Sequence, residues 1–414
     1  ASAPVSERND RIGIDDYHPR PYPVSFWDLF GERGVPVRTT VTEMGPQLLA
    51  QLLGLNDTQE GVLTLLFEYA DDEGLLLVDL ADLRTGLAYL AEHAGAQATG
   101  LRIARASVDA ILRRLLVLER AGADRFFGEP ALALDDLMQR ARDGRGVINV
   151  LSAETLIGNP RSYAMFLLWL LAELFETLPE VGDPDKPVLV FFFDEAHLLF
   201  RDAPAVLKEK IEQVVRLIRS KGVGVYFVTQ SPADIPDAVL AQLGNRIQHA
   251  LRAYTPKERK AVRVAAESFR PNPALDTAAV IGELGVGEAL VSTLGAKAVP
   301  SRVERVLLRP PHSRMGPLAD EERTALVAAD PNLRRYARAV DPHSAHEVLR
   351  ERMAAVRTEA PAETAEKAPA KRGRSNRESA GEAFVKSVAR SLGSATGRRL
   401  GERLLRGVLG SLLK

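Results

Sequence analysis

The sequence predicts an α/β fold: a mainly parallel sheet flanked by helices, with an all-α insertion and a C-terminal helical tail. Three observations predict it. Residues 187–193 read Pro-Val-Leu-Val-Phe-Phe-Phe, an unbroken apolar run of the kind that is buried on both faces of a parallel sheet. From Gly146 to Leu308, strand-like runs alternate with helical ones, the pattern of βα units. From Gly45 to Arg142 the periodicity is helical, with Gly and Asp at the breaks.

Composition narrows the function classes. Hydrophobic residues make up 46% and charged residues 26% of 414, which is ordinary globular usage and enough for a substantial core. The net charge of -1 excludes a globally basic surface, so any basic patch must be local. The chain has no cysteine, which excludes a disulfide framework and thiolate metal sites and fits a reducing, cytoplasmic setting. The longest apolar stretch, Ala164 to Leu178, contains Glu173 and Glu176 and is too short and too charged to span a bilayer. No signal peptide is visible in the polar segment Ala1–Arg20. The chain does not start with Met and is expected to be a trimmed piece of something longer.

In chain order, Ala1 to Arg20 reads as coil, and Pro21 to Phe30 as an aromatic segment packed on a larger body. Val35 to Val41 is β-branched and alternating, hence a strand. Helices are expected at Pro46–Leu55, Gln59–Ala70 (started by Asn56-Asp57-Thr58), Ala81–His93, Ser107–Ala121 and Ala131–Arg142. Strands follow at Gly146–Leu151, Val188–Phe193, Gly224–Val228, Arg246–Ala253, Glu288–Leu294 and Arg302–Leu308. Helices are expected between them at Pro160–Leu178, Ala205–Ser220 and Ile235–Leu243, and from a Thr255-Pro256 cap to Phe269. Asp320–Ala328 and His343–Arg357 read as surface helices. The segments are therefore 1–44, a helical insertion 45–145, an α/β core 146–310, and C-terminal helices 311–357. A disordered linker 358–380 and a distinct tail 381–414 follow.

Chemistry concentrates at strand ends. Asp194 and Glu195 follow the apolar run at once, at the carboxyl end of a strand where open α/β sheets place ligands. The first acid can hold Mg²⁺; the second can orient and deprotonate an attacking water. This is the pattern called Walker B, although a strand running into a helix cap reads the same way. Gln230 ends the next strand, where a polar side chain can sense a γ-phosphate or position the water, although a solvated Gln at a strand end reads the same way. Arg216 and Arg219 precede that strand. A planar, permanently charged guanidinium there can serve as an arginine finger, yet spacing alone favours simple complementation of the helix dipole. His197 reads as a structural histidine. No Gly-x-x-x-x-Gly-Lys-Ser/Thr occurs in the 414 residues, so they contain no phosphate-cradling loop of that type.

Together these residues resemble the HerA/FtsK class of P-loop ATPases, specifically the bacterial HerA-like family of the YjgR type. The resemblance is carried by Tyr22-Pro-Val-Ser-Phe-Trp-Asp-Leu-Phe30, Thr42-Glu-Met-Gly-Pro46, Leu53 to Glu60, Phe193-Asp-Glu-Ala-His197, Ser220 to Gln230, Gly244 to His249 and Gly381 to Arg390. It implies a RecA-like sheet whose front part includes 1–44, ATP and Mg²⁺ as cofactors, a homo-hexameric ring, and movement on double-stranded DNA. It implies Asp194 for Mg²⁺, Glu195 as the water-activating base, Gln230 as sensor and Arg219 as the trans-acting finger, with Arg216 and Arg246 as weaker candidates for the finger and Arg246 also among the nucleotide-binding residues. In this class the phosphate loop lies N-terminal to Ala1, so roughly the first hundred residues of such a protein are expected to be missing. Asp-Glu-Ala-His also names a separate helicase superfamily, but its Ser-Ala-Thr motif and second RecA-like domain are not found here.

The tail carries Phe384, Val388, Leu392, Leu400, Leu404, Val408 and Leu412 on one helical stripe, glycines at 393, 397 and 401, and a basic remainder. Self-association or protein docking, docking on an anionic membrane surface or nucleic acid, and disorder all stay open for it. An ATPase-fold platform or protein-directed motor docking through this tail, peripheral to the inner membrane, is the alternative to a DNA motor.

Overall fold

Strand β1 (Val24–Asp28) buries four of its five residues and pairs in parallel with β2 (Val35–Pro36) and β3 (Ile148–Ser152), in the order β2-β1-β3. Asp28 shapes the turn out of β1: its carboxylate accepts the backbone N–H groups of Phe30, Glu32 and Arg33 at 3.0, 2.9 and 2.7 Å. Gly34 is needed there, because a Cβ would sit 2.7 Å from the Phe26 carbonyl oxygen. The structure, a computed structural model, describes residues 3–93, 103–153, 160–182, 184–200, 204–295 and 298–359. The expected tail 381–414 and all but the first two residues of the linker lie outside them.

The chain forms two compact units. The first comprises residues 1–39, 117–126 and 130–339; the second, 40–116, 127–129 and 340–414.

In the first unit the apolar helix Pro160–Thr177 packs Phe166 and Trp169 edge-on against Phe126, with centroids 6.3 and 5.7 Å apart. Strands β4 (Leu189–Phe193) and β5 (Val223–Phe227) form a separate parallel pair, with Leu189 opposite Val223 and Phe193 opposite Phe227. Alternation sends Phe191, Phe193, Val223 and Val225 toward Leu171 and Leu174 and toward Ile211 and Val214 of the helix Ala205–Leu217. The opposite face differs from expectation. Val190, Phe192, Tyr226 and Val228 are exposed, Phe192 at 66%, and the Phe192 and Tyr226 rings stack at 4.6 Å. The run 187–193 is thus covered on one face, because among the described residues only these two helices form a layer over the pair.

The sheet also departs from a single parallel one. Strands β6 (Arg246–Gln248), β7 (Glu288–Ser292) and β8 (Glu304–Leu307) are antiparallel and form their own sheet. The helices Pro256–Glu267 and Thr277–Glu283 close over it through Ala265, Phe269, Ile281, Leu284, Leu290 and Val303.

Three further segments differ. Residues 3–12 are a helix rather than coil: Val5 and Asn9 are buried, and Arg8 donates to the carbonyls of Gly287 and Leu308. The strand expected over Val35–Val41 is cut to two residues: Val37 N–H makes the last ladder bond, to the Asp28 carbonyl at 3.2 Å, and Thr39 N–H donates to the Phe126 carbonyl at 2.9 Å instead. The helix expected over Ala131–Arg142 is a single turn, Leu134–Leu137. Distant partners take its polar groups: Ala133 N–H donates to the Tyr336 hydroxyl, and Asp136 accepts from Arg335 at 2.8 Å and from Tyr336. The Tyr336 ring is fully buried, and burial pushes its hydroxyl up to about 12.

The second unit is helical. Val41–Leu53 and Asp57–Asp72 each begin with a reciprocal capping box, Thr40 with Glu43 and Asn56 with Gln59. Its centre is Asp82, which is fully buried near the start of Leu80–His93. One carboxylate oxygen accepts Val78 and Asp79 N–H at 2.7 and 3.1 Å; the other accepts the Ser344 hydroxyl at 2.6 Å and His346 N–H at 2.7 Å. The helix Ala345–Glu359 is therefore tied to Leu80–His93. With Ala345 and Leu349 fully buried, it is not the surface helix expected for 343–357. The sequence shows Asp82 as one more acid on a polar face and carries no trace of this pairing.

Asp82→Ala would leave one buried and two part-buried N–H groups without an acceptor. It should destabilise the second unit by about 2–4 kcal/mol, read as lost amide-exchange protection over 344–352; unchanged protection there would refute this role. A second prediction concerns acid. Glu347 accepts the N–H and hydroxyl of Ser344 at 3.0 and 2.8 Å, which holds its carboxyl at about 2 instead of 4.5. A lowered folded value stabilises the fold above the unfolded one, and the gain disappears as pH falls through the folded one. Protection at the start of Ala345–Glu359 should thus decline between about pH 4.5 and about pH 2, and Glu347→Gln should flatten that decline.

Candidate active site

The ends of β4 and β5 are held together beyond the strands themselves. Val228 N–H donates to the Phe193 carbonyl at 2.9 Å, and Ala196 N–H donates back to the Val228 carbonyl at 2.8 Å. Between these two bonds the chain must place two residues in little space. Glu195 does so in the left-handed region, φ 48° and ψ 45°, a conformation costing a non-glycine residue about 1–2 kcal/mol. Asp194 relieves the turn, its Oδ1 accepting Glu195 N–H at 2.9 Å. A short 3₁₀ turn, Ala196–Leu199, then carries the chain away.

Two side chains converge on Glu195 Oε2. Gln230 Nε2 donates to it at 3.4 Å, a long bond, and His197 Nδ1 lies 3.1 Å away without hydrogen-bond alignment. The carboxylate stays half exposed, whereas the His197 ring is mostly covered. Asp194 is exposed, and its Oδ2 has no hydrogen-bond partner among the described residues. One carboxylate with a free oxygen suits Mg²⁺, which keeps most of its waters and takes one or two protein carboxylates beside phosphate oxygens.

Asp194, Glu195 and Gln230 are thus brought together. Arg219 is not: it lies in the turn Ile218–Lys221 that enters β5, at the strand's opposite end. Five strand residues separate the ends by about 17 Å. Arg216 is exposed on the preceding helix turn. Arg246 opens β6 in another sheet, and no hydrogen bond or ion pair joins it to the acid pair among the described residues. Sequence reading passed over the loop after Gln230. Ser231 caps a turn at Pro232–Asp234, Thr229 donates to Asp234 at 3.1 Å, and a cleft lies between His197 and Phe200 on one side and Asp234, Ile235 and Pro236 on the other. The Ser-Pro pair, a cap followed by proline at the first helical position, was the available signal.

Among solved structures, the chain is similar to the plasmid coupling protein TrwB in complex with the non-hydrolysable GTP analogue GDPNP. Identity is 15%, coverage is 70% of this chain and 76% of that one, and the TM-score is 0.44. It is also similar to VirB4 of Thermoanaerobacter pseudethanolicus, at 14% identity, 73% and 79% coverage and a TM-score of 0.41. For B204, the DNA-packaging ATPase from Sulfolobus Turreted Icosahedral Virus, the values are 17%, 42% and 72%, and 0.27. No curated protein matches. The sequence model of the helicase HerA-like C-terminal family matches residues 1–414, and the chain belongs to that family.

Proposed function

We propose that the chain carries the acid and sensor side of an ATP-hydrolysing ring motor that moves double-stranded DNA. The observation that carries this reading is the convergence of Glu195 and Gln230 at the joined tips of β4 and β5, with Asp194 beside them. Asp194 would hold Mg²⁺, whose charge offsets that of the transferring phosphoryl group. Glu195 takes a proton from the attacking water. Its strained backbone and the contacts on Oε2 fix which oxygen is presented, and Gln230 places carboxylate and water relative to each other.

Arg219 acts on a neighbouring subunit's nucleotide in this reading. Its place at the far end of β5 supports that assignment: a finger that far from its own acid pair serves a site only across an interface. A homo-hexameric ring, as the family resemblance implies, supplies such interfaces.

The 414 residues contain no phosphate-cradling Gly-Lys-Ser/Thr loop, so the tests use the full-length protein. Glu195→Gln should lower kcat for phosphate release by about 10²–10⁴-fold while nucleotide binding persists; undiminished hydrolysis would refute the site. Arg219→Ala should lower kcat by about 10³-fold or more. Mixing it with Glu195→Gln should restore part of the activity, because a mixed ring pairs an intact Glu195 with a neighbour's intact Arg219. Absence of any restoration would place Arg219 outside the trans site.

A further inference from the structure

The near-neutral chain carries local excesses of positive charge, and one of them lies on a described helix. Residues 246–270 hold seven Lys and Arg and two Glu, against -1 for the whole sequence. Arg252 and Arg270 are used internally, donating to the carbonyls of Leu284 and Pro300 at 3.0 Å each. Lys257, Arg259, Lys260 and Arg263 are different. All four are exposed on the helix Pro256–Glu267, whose opposite face buries Ala265. At 100° per residue they spread over the outer half of the helix, within about 9 Å of axis. None forms an ion pair among the described residues. Like charges at i,i+3 and i,i+4, here Lys257 with Lys260, Lys260 with Arg263 and Arg259 with Arg263, cost about 0.2–0.5 kcal/mol each.

The helix N-terminus is already satisfied. Glu258 accepts Tyr254 and Thr255 N–H at 2.7 Å each, and Thr255 caps Glu258. An anion would therefore meet the side-chain stripe and not the helix end. Tyr254, 83% exposed, extends the same surface with an uncovered ring.

We propose that this stripe binds the phosphate backbone of duplex DNA; the inference rests on the DNA-motor reading above. Duplex DNA presents one phosphate per ~1.7 Å of axis, so about five lie along the length of the stripe, enough for four cations. Contacts to phosphate oxygens carry no sequence information, so binding through the stripe is independent of sequence.

The test uses full-length protein carrying Lys257→Gln, Arg259→Gln, Lys260→Gln and Arg263→Gln, a set chosen because glutamine preserves helix propensity. The probe is a fluorescent random-sequence duplex, titrated at several salt concentrations. The slope of log K against log salt should become shallower by between about three and four, at ~0.9 per phosphate lost. DNA-free ATP hydrolysis should stay at the wild-type rate, which also shows that the variant is folded. A control with Arg105→Gln and Arg113→Gln should keep the wild-type slope. An unchanged slope in the quadruple variant would overturn the stripe while leaving the motor reading intact. Wild-type protein that hydrolyses ATP and ignores duplex DNA would overturn the DNA reading as well. Binding to phosphatidylserine vesicles in preference to duplex, lost in the quadruple variant, would reassign the stripe to a membrane surface.

Discussion

The arrangement at the acid pair depends on the parallel pairing of β4 with β5 and on the two hydrogen bonds that extend it. Register places Phe193 opposite Phe227, and the Val228–Phe193 and Ala196–Val228 bonds carry the ladder past the regular strands. Without them Glu195 would have no reason to occupy the left-handed region. With them, the carboxylate is aimed by the backbone before any ligand arrives. A shift of one residue in that pairing would turn Phe191 and Phe193 outward and separate Gln230 from Glu195. Packing of Phe191, Phe193, Val223 and Val225 on the helices Pro160–Thr177 and Ala205–Leu217 holds the register, so chemistry at the tips is anchored by apolar contacts along the strands.

The same strand also separates two of the proposed site residues in space. β5 begins at the turn bearing Arg219 and ends before Gln230. In the ring proposed above, this strand would lie between one nucleotide site and the next, with the proposed finger at one end and the proposed sensor at the other.

Much of this was legible in the sequence, for identifiable reasons. Local signals were enough for Asn56 with Gln59 and for Thr255-Pro256 with Glu258, because capping involves residues three apart. The apolar run and the two acids gave β4 and its tip, since composition and order alone mark such a strand. What escaped is long-range. The helix 3–12 is anchored through Arg8 to carbonyls almost three hundred residues away, and the turn at Leu134 is shaped by Tyr336. The antiparallel direction of β6 to β8 is set by pairing partners, which strand-forming residues do not encode. The left-handed Glu195 was illegible too, since no local rule puts a glutamate there.

Both units bury an apolar core, and each also buries polar groups. The first is built around large apolar and aromatic side chains, with Phe126, Phe166 and Trp169 in mutual edge contact. The second fully buries Leu63, Leu83, Leu87, Ile111 and Leu115 and adds a polar cluster, in which Asp82 joins two helix starts and Ser344 offers one hydroxyl proton to two carboxylates, Asp82 and Glu347. A single proton can serve only one of those acceptors at a time. An apolar core responds to volume changes and little to pH. A buried carboxylate hub that shares a proton responds to both charge and hydrogen-bond geometry. Conditions that leave the strand tips of the first unit intact can therefore loosen the helices of the second, so loss of structure in one unit need not report on the other.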